Sequence, residues 1–264
     1  MAISKKVVDR ITVQLKRYIP ILIEAKNRDI NESDTVAIIS DMLADLLGYK
    51  KYIEITSEQA IRGTFVDLMV RIGEEERFLV EAKAIGITLK DQHVKQAMEY
   101  GAHKGIEWVI LTNGVIWRVY KIHFSQPIDQ TLVFELDLLQ PGVRSSQHVE
   151  CLSILSREAF SQNAMTAFYQ QKQITGKYSI AAILLTVPIL AVLKKELRKI
   201  EPKLKLDDET LKSCLEADII KRELIDSDEG KQASEFLKKL SKAAARAKVK
   251  KATVSASNNT LAPI

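Results

Sequence analysis

Val66-Asp67-Leu68-Met69-Val70-Arg71-Ile72, Gly73-Glu74-Glu75-Glu76 and Arg77-Phe78-Leu79-Val80-Glu81-Ala82-Lys83 follow one another without interruption. Two apolar runs flank a polar stretch that opens on glycine, the pattern of a β-hairpin. Pairing Ile72 with Glu76 sets Asp67 opposite Glu81. Because strand side chains alternate between faces, Asp67, Glu81 and Lys83 then project from one side of the sheet.

Composition bounds the reading without deciding it. A chain of 264 residues can bury one good core, or one core and a smaller appendage. Lys and Arg number 39 against 34 Asp and Glu, and the excess of +5 permits a nucleic-acid partner without requiring one. Cys151 and Cys214 are the only cysteines and the amino terminus has no apolar stretch, so a reducing cytoplasm is the expected setting. The most apolar run, Ile180 to Leu193, contains Pro188 and falls short of the roughly 20 residues that span a bilayer. It is expected to be a buried helix, and no membrane partner is expected.

Outward from the hairpin, Val7 to Lys26 has helical periodicity, expected to break at Pro20 into a helix and an irregular continuation. Asn31 reads as an N-cap and Gly48 as the end of the helix that follows. That helix carries Val36, Ile39, Leu43 and Leu46 on one stripe, with Glu32 one turn before Val36. Strands are expected at Lys51–Thr56, Phe65–Ile72, Arg77–Lys83, Glu107–Thr112 and Val115–Ile122, the last two joined by a type I′ turn at Asn113-Gly114. A helix from Thr88 to Lys104 separates the third and fourth strands, which implies a crossover and a mixed sheet. After Phe134-Glu-Leu-Asp-Leu-Leu139, Pro141-Gly142 and Ser145-Ser146 mark a boundary, and the pattern becomes helical: Ser146–Phe160, Ser161–Gln173, Ile180–Ile200, Asp207–Asp218 and Glu229–Lys248. The organisation read from sequence is residues 1–140, a helical region 141–250 and a tail 251–264.

Hydrolysis of a phosphodiester needs an activated water and neutralisation of transition-state charge, and a hard cation held by carboxylates supplies much of both. Asp67 and Glu81 would hold the cation, with the Ala82 carbonyl and waters completing the shell. Lys83 would position or help deprotonate the water and stabilise phosphoryl charge. The same Glu-x-Lys pair also fits an exposed cross-strand ion pair. Gln96 and Tyr100, one helical turn apart and off the Val94–Met98 stripe, suit either phosphate or Lys83 contacts or a solvent-facing position. Glu32 suits either the site or simply the first turn of its helix. Glu54 and Arg62-Gly63 are weaker candidates. The four histidines show no metal-ligand spacing, and no phosphate-binding Gly-rich loop occurs. The basic stretch Lys238-Lys239, Lys242, Arg246, Lys248, Lys250-Lys251 suits a DNA backbone or a solvated helix end.

Taken in order, Glu32-Ser-Asp-Thr35, Leu46-Leu-Gly-Tyr49, Val66-Asp67, Val80-Glu-Ala-Lys83, Gln96-x3-Tyr100, Leu111-Thr-Asn-Gly114 and Phe134–Leu139 resemble the PD-(D/E)XK nuclease superfamily. The resemblance is nearest to the N-terminal nuclease domain of type I restriction enzyme R subunits and their stand-alone relatives. It covers residues 5 to 140. It implies an α/β, restriction-endonuclease-like αβββαβ core with a mixed sheet, followed by a helical C-terminal region. It implies Asp67, Glu81 and Lys83 as the catalytic set, Glu32 as a further site residue, and Gln96 and Tyr100 as an accessory motif. The usual Pro-Asp of the hairpin is Val-Asp here, and where an R subunit continues into a helicase motor the stretch after residue 140 reads as helices and a basic tail, so translocation-coupled cleavage is not expected to transfer.

The expected activity is therefore a magnesium-dependent DNA endonuclease serving restriction or defence, with manganese as a substitute metal and double-stranded DNA as partner. A catalytically silent or partner-dependent DNA-binding or assembly module, working with a methyltransferase or motor subunit, is the alternative, and an RNA nuclease is chemically open. A homodimer is expected by analogy alone, since one site cuts one strand.

Overall fold

The computed structural model describes residues 4–61, 64–140 and 146–242, and their side chains except those of 58–61, 64–65 and 146–147. The chain divides into two compact units, Met1–Phe168 and Tyr169–Ile264. The Pro141-Gly142 pair, Arg62-Gly63 and the basic positions from Arg246 onward lie outside the described residues.

In the first unit, α1 (Lys5–Asn27) and α2 (Glu32–Asp45) precede β1 (Ile55–Ile61), β2 (Thr64–Ile72) and β3 (Glu75–Ala82). A 3₁₀ turn at Asp91–Val94 leads into α3 (Lys95–Lys104), followed by β4 (Trp108–Thr112), β5 (Ile116–His123) and β6 (Asp129–Asp137). The six strands form one sheet in sequence order. Only β3 and β4 run parallel, joined across α3, and every other neighbouring pair is antiparallel. This is the mixed α/β sheet with an αβββαβ order that the sequence implied, extended by β5 and β6.

Helix α1 does not break at Pro20. Pro20 and Lys16 are both exposed, so the carbonyl that loses its donor faces water, while Leu22 and Ala25 continue the buried stripe of Val7, Ile11, Leu15 and Tyr18. Helix α2 begins as expected, with the Asn31 side chain accepting from the Asp34 N–H at 2.9 Å. Its chain reverses at Gly48, whose φ is +87° and whose N–H donates to the Ala44 carbonyl.

The hairpin departs from the expected register twice, and the departures cancel. Ile72 pairs with Glu75, so the turn is the two-residue Gly73-Glu74, with Gly73 at φ +62° as a II′ turn requires. A bulge then leaves Arg77 over, and Val70–Phe78, Met69–Leu79 and Leu68–Val80 pair beyond it. One step further along that ladder sets Asp67 opposite Glu81. Without the bulge, Asp67 would face the neighbour of Glu81, whose side chain lies on the other face.

Three other expectations shift. The first strand starts at Ile55 rather than Lys51, because Tyr52 (φ +69°) turns the chain and Glu54 is drawn into the interior. The third helix starts at the 3₁₀ turn rather than at Thr88. Asn113 lacks the positive φ of a I′ turn; Gly114, at +82°, carries it, and Asn113 N–H reaches the Ile116 carbonyl, so the turn is centred on Gly114-Val115.

Leu79, Val109, Leu111, Tyr120 and Ile122 pack with Val94, Ala97, Met98 and Tyr100 in one apolar cluster on the α3 face. On the opposite face Phe78 meets Tyr49 edge-on, centroids 5.5 Å apart, and Phe160 at 4.9 Å. Phe160 belongs to α5 (Arg157–Ser161), which follows α4 (Ser146–Ile154). The expected single helix from Ser146 to Phe160 is thus two, because Ser156 adopts extended backbone and caps α5 by accepting from Ala159 N–H. The Arg157 Nε donates to both oxygens of buried Glu54 at 2.8 Å, and the Arg10 guanidinium pairs with Glu158 at 2.7 and 2.9 Å while donating to the Leu46 and Leu47 carbonyls. These contacts fasten α1, the end of α2 and α5 together.

The chain passes through α6 (Ala164–Ile174) into the second unit, which contains α7 (Lys177–Leu184), α8 (Val187–Ile200), α9 (Asp208–Cys214) with a π-helical continuation to Ile219, and α10 (Glu223–Asp226). Residues 228–242 are helical. Its core gathers Ala181, Leu190, Leu215 and Ile220. The Ile180–Leu193 run is two helices, not one buried one: Thr186 turns the chain, Pro188 sits in the first turn of α8, and Ile180, Val187 and Val192 are at least half exposed. Among the described residues no helix is long and apolar enough to cross a membrane.

Candidate active site at the end of strand β3

The alternation that turns Met69 and Leu79 toward α3 puts Asp67 and Glu81 on the same face, with Glu81 next to the last residue of β3. The backbone there is tied on both sides. Ala82 N–H donates to Asp67 Oδ2 at 2.7 Å, and Lys83 N–H donates to the Thr112 carbonyl at 2.9 Å, prolonging the parallel ladder of β3 and β4 by one residue.

Glu81 is buried, 6% exposed. The Lys83 Nζ donates to Glu81 Oε1 and to the Ala82 carbonyl, each at 2.7 Å, and stands 3.6 Å from Glu32 Oε2. Glu32, the first residue of α2, is half exposed. The structure thus brings Asp67, Glu81, Lys83 and Glu32 together. Burial pushes the Glu81 carboxyl up to about 7; the hydrogen bond from Lys83 pulls it back, and the negative charges of Asp67 and Glu32 add to the rise. Burial works against the Lys83 ammonium as well, but the hydrogen bond and charge of Glu81 outweigh it and hold Lys83 above its ordinary value.

The oxygens that would hold a hard cation are those of Asp67, Glu81 and the Ala82 carbonyl, each of which already accepts a hydrogen bond, from Ala82 N–H in the case of Asp67 and from the Lys83 ammonium in the case of Glu81 and Ala82. Among the described residues no group of three or more His, Cys, Asp or Glu side chains is arranged to hold a metal. Two carboxylates and a carbonyl nevertheless match magnesium, which keeps several waters. A crowded, desolvated Glu81 is also the group that a cation would relieve most.

The accessory pair separates. Gln96 is exposed on the first turn of α3, whereas Tyr100 is 2% exposed inside the α3 cluster. Burial raises the Tyr100 hydroxyl, against the pull of Lys104 and with Glu76 adding to the rise. Glu76 lies five residues along β3 from Glu81, roughly 16 Å at strand rise. Glu54 is taken up by Arg157 and by Lys50 N–H.

One residue at the site was read in the sequence only as part of a turn. Asn113 is buried, and its side chain is fully used: Nδ2 donates to the Ile85 and Ile87 carbonyls at 3.2 and 3.0 Å, and Oδ1 accepts from Val115 and Ile116 N–H at 3.1 and 2.8 Å. It pins the segment that leaves Lys83 to the β4–β5 turn. The Asn-Gly pair was the available signal, but it spoke only of a turn.

Residues 43–132 match the family described as type I restriction enzyme R protein N terminus, so over that span the chain resembles the N-terminal region of type I R subunits. The matched span holds Asp67, Glu81, Lys83, Gln96, Tyr100 and Asn113, and leaves Glu32 outside. No curated protein and no solved structure matches the chain.

Proposed function

We propose that this protein is a magnesium-dependent deoxyribonuclease that hydrolyses phosphodiester bonds in double-stranded DNA, in a restriction or defence setting. The observation that carries the reading is the juxtaposition of Asp67 and Glu81 on adjoining strands with the Lys83 ammonium hydrogen-bonded to Glu81. The likeness to R protein N termini supports it, because a restriction enzyme acts on DNA and works with other subunits.

Asp67, Glu81 and the Ala82 carbonyl would hold magnesium, which when bound lowers the pKa of a coordinated water and neutralises phosphoryl charge. The chain's own residues do the rest. Lys83, hydrogen-bonded to Glu81, serves as a donor and positive charge toward the scissile phosphate. Glu32 steadies the Lys83 side chain from the helix side. Ala82 N–H keeps the Asp67 carboxylate in its rotamer.

A second reading has one observation in its favour. The Lys83 Nζ bridges Glu81 Oε1 and the Ala82 carbonyl, two of the oxygens a metal needs, which fits a module that is silent until a partner subunit or DNA draws the lysine away. Incubation with supercoiled plasmid in magnesium, manganese or chelator, beside Glu81→Ala and Lys83→Ala, tests both. Metal-dependent cleavage lost in both variants supports the nuclease. Cleavage that survives both substitutions removes these residues from the chemistry. Salt-sensitive binding without cleavage in any metal favours the silent module.

A further inference from the structure

The unit Tyr169–Ile264 carries a charged surface that its own fold does not use. The last two turns of α8 hold Lys194, Lys195, Arg198 and Lys199, where cations suit the helix C-terminus. Two of the four are satisfied internally, Lys194 by Asp208 and Lys199 by Glu196. Beyond the helix the chain runs through Pro202, Lys203, Leu204, Lys205 and Leu206 to Asp207, the N-cap of α9. In this stretch Leu204 and Leu206 are half-buried while Lys203 and Lys205 are exposed. The leucines anchor the segment and leave both amines in solvent.

Arg198, Lys203 and Lys205 come together around one shallow concavity of about 690 Å³, whose remaining lining is Pro202, Leu204, Leu206 and Asp207. Among the described residues none of the three cationic side chains has an ion-pair partner. The only anionic side chain in the same lining is Asp207, whose carboxylate accepts from Thr210 N–H as the cap of α9, so the three exposed cations leave the hollow with a net positive charge that an anionic ligand complements.

We propose that Arg198, Lys203 and Lys205 form a contact surface for the phosphate backbone of duplex DNA, separate from the hydrolytic site. A duplex presents a charge about every 1.7 Å along its axis, so neighbouring phosphates can engage the three cations at once, with no base contact required. The surface shares no residue with the Asp67–Glu81 site and stands whether or not that site cuts.

The test is binding of a labelled duplex to the full chain in chelator, followed by fluorescence anisotropy between about 50 and 200 mM salt. Arg198→Gln, Lys203→Gln and Lys205→Gln combined should weaken binding and reduce the slope of log K against log salt by up to about 2.7, near 0.9 for each phosphate no longer neutralised. Neutralising the exposed Lys5, Lys6 and Lys16 of α1 to Gln lowers net charge equally and should leave most of the slope intact. Binding is read in chelator, where no metal-dependent hydrolysis runs, and plasmid cleavage by the same triple variant is assayed separately in magnesium, so failure of hydrolysis and failure of this surface are read apart. An unaltered slope in the first triple, an equal loss in the α1 triple, or binding to phosphatidylserine vesicles in place of DNA overturns the proposal. Circular dichroism of each variant confirms that the helices persist.

Discussion

The Lys83 ammonium stands 2.7 Å from Glu81 Oε1, and Glu81 is the most enclosed carboxylate of the candidate site. The contact joins two groups that each carry a desolvation cost. It explains why an acid with its pKa near 7 is tolerated there.

Lys83→Met should separate binding of metal from hydrolysis. With the ammonium gone, its competition for the Glu81 and Ala82 oxygens ends, so manganese should bind at least as tightly as to the unsubstituted chain in calorimetry. Cleavage should fall by about two to three orders of magnitude, the usual effect of losing a charge-stabilising donor. Weaker metal binding in Lys83→Met would contradict the competition.

Asn113→Ala removes four hydrogen bonds in a buried place and leaves the Ile85 and Ile87 carbonyls without their donor. A loss of about 2–4 kcal/mol in urea denaturation is expected. Asn113→Asp keeps the acceptor but cannot donate to those carbonyls, so it should destabilise as well. If both variants unfold like the unsubstituted chain, the anchoring role is wrong.

The Arg10–Glu158 pair predicts an acid-sensitive contact. The hydrogen bond and charge of Arg10 hold the Glu158 carboxyl below its ordinary value, against the opposing effect of burial. A carboxyl depressed in the folded state contributes stability that is full above its unfolded pKa and is lost as pH falls through the folded one. The stability gap between the unsubstituted chain and Glu158→Gln should therefore be widest near neutrality and close below about pH 4. Glu158 is partly exposed, so the gap should be modest and shrink in high salt. A gap that widens on acidification would contradict the pairing.

Sequence legibility followed the range of the interactions. Asp67 opposite Glu81 was readable because alternation and a glycine-led turn are local, although the turn proved one residue tighter and a bulge at Arg77 restored the register. Pro20 misled because its cost depends on which way one carbonyl faces. The start of β1 was misplaced because Ile53 and Ile55 are equally apolar in sequence, yet one is 69% and the other 7% exposed. Tyr100 lay off the expected stripe but inside the core, since four strands beneath α3 bury a wider arc than one row. The anchoring role of Asn113 was not legible, beyond the turn it marked, because the carbonyls it serves lie 28 and 26 residues away.

A manganese soak of crystals, read by anomalous scattering, tests the central claim most directly. A single peak bridging the Asp67 and Glu81 carboxylates, with the Lys83 Nζ moved off the Ala82 carbonyl, is the expected result. Density empty of metal at saturating manganese, with Lys83 still lodged on Glu81 and Ala82, would contradict it.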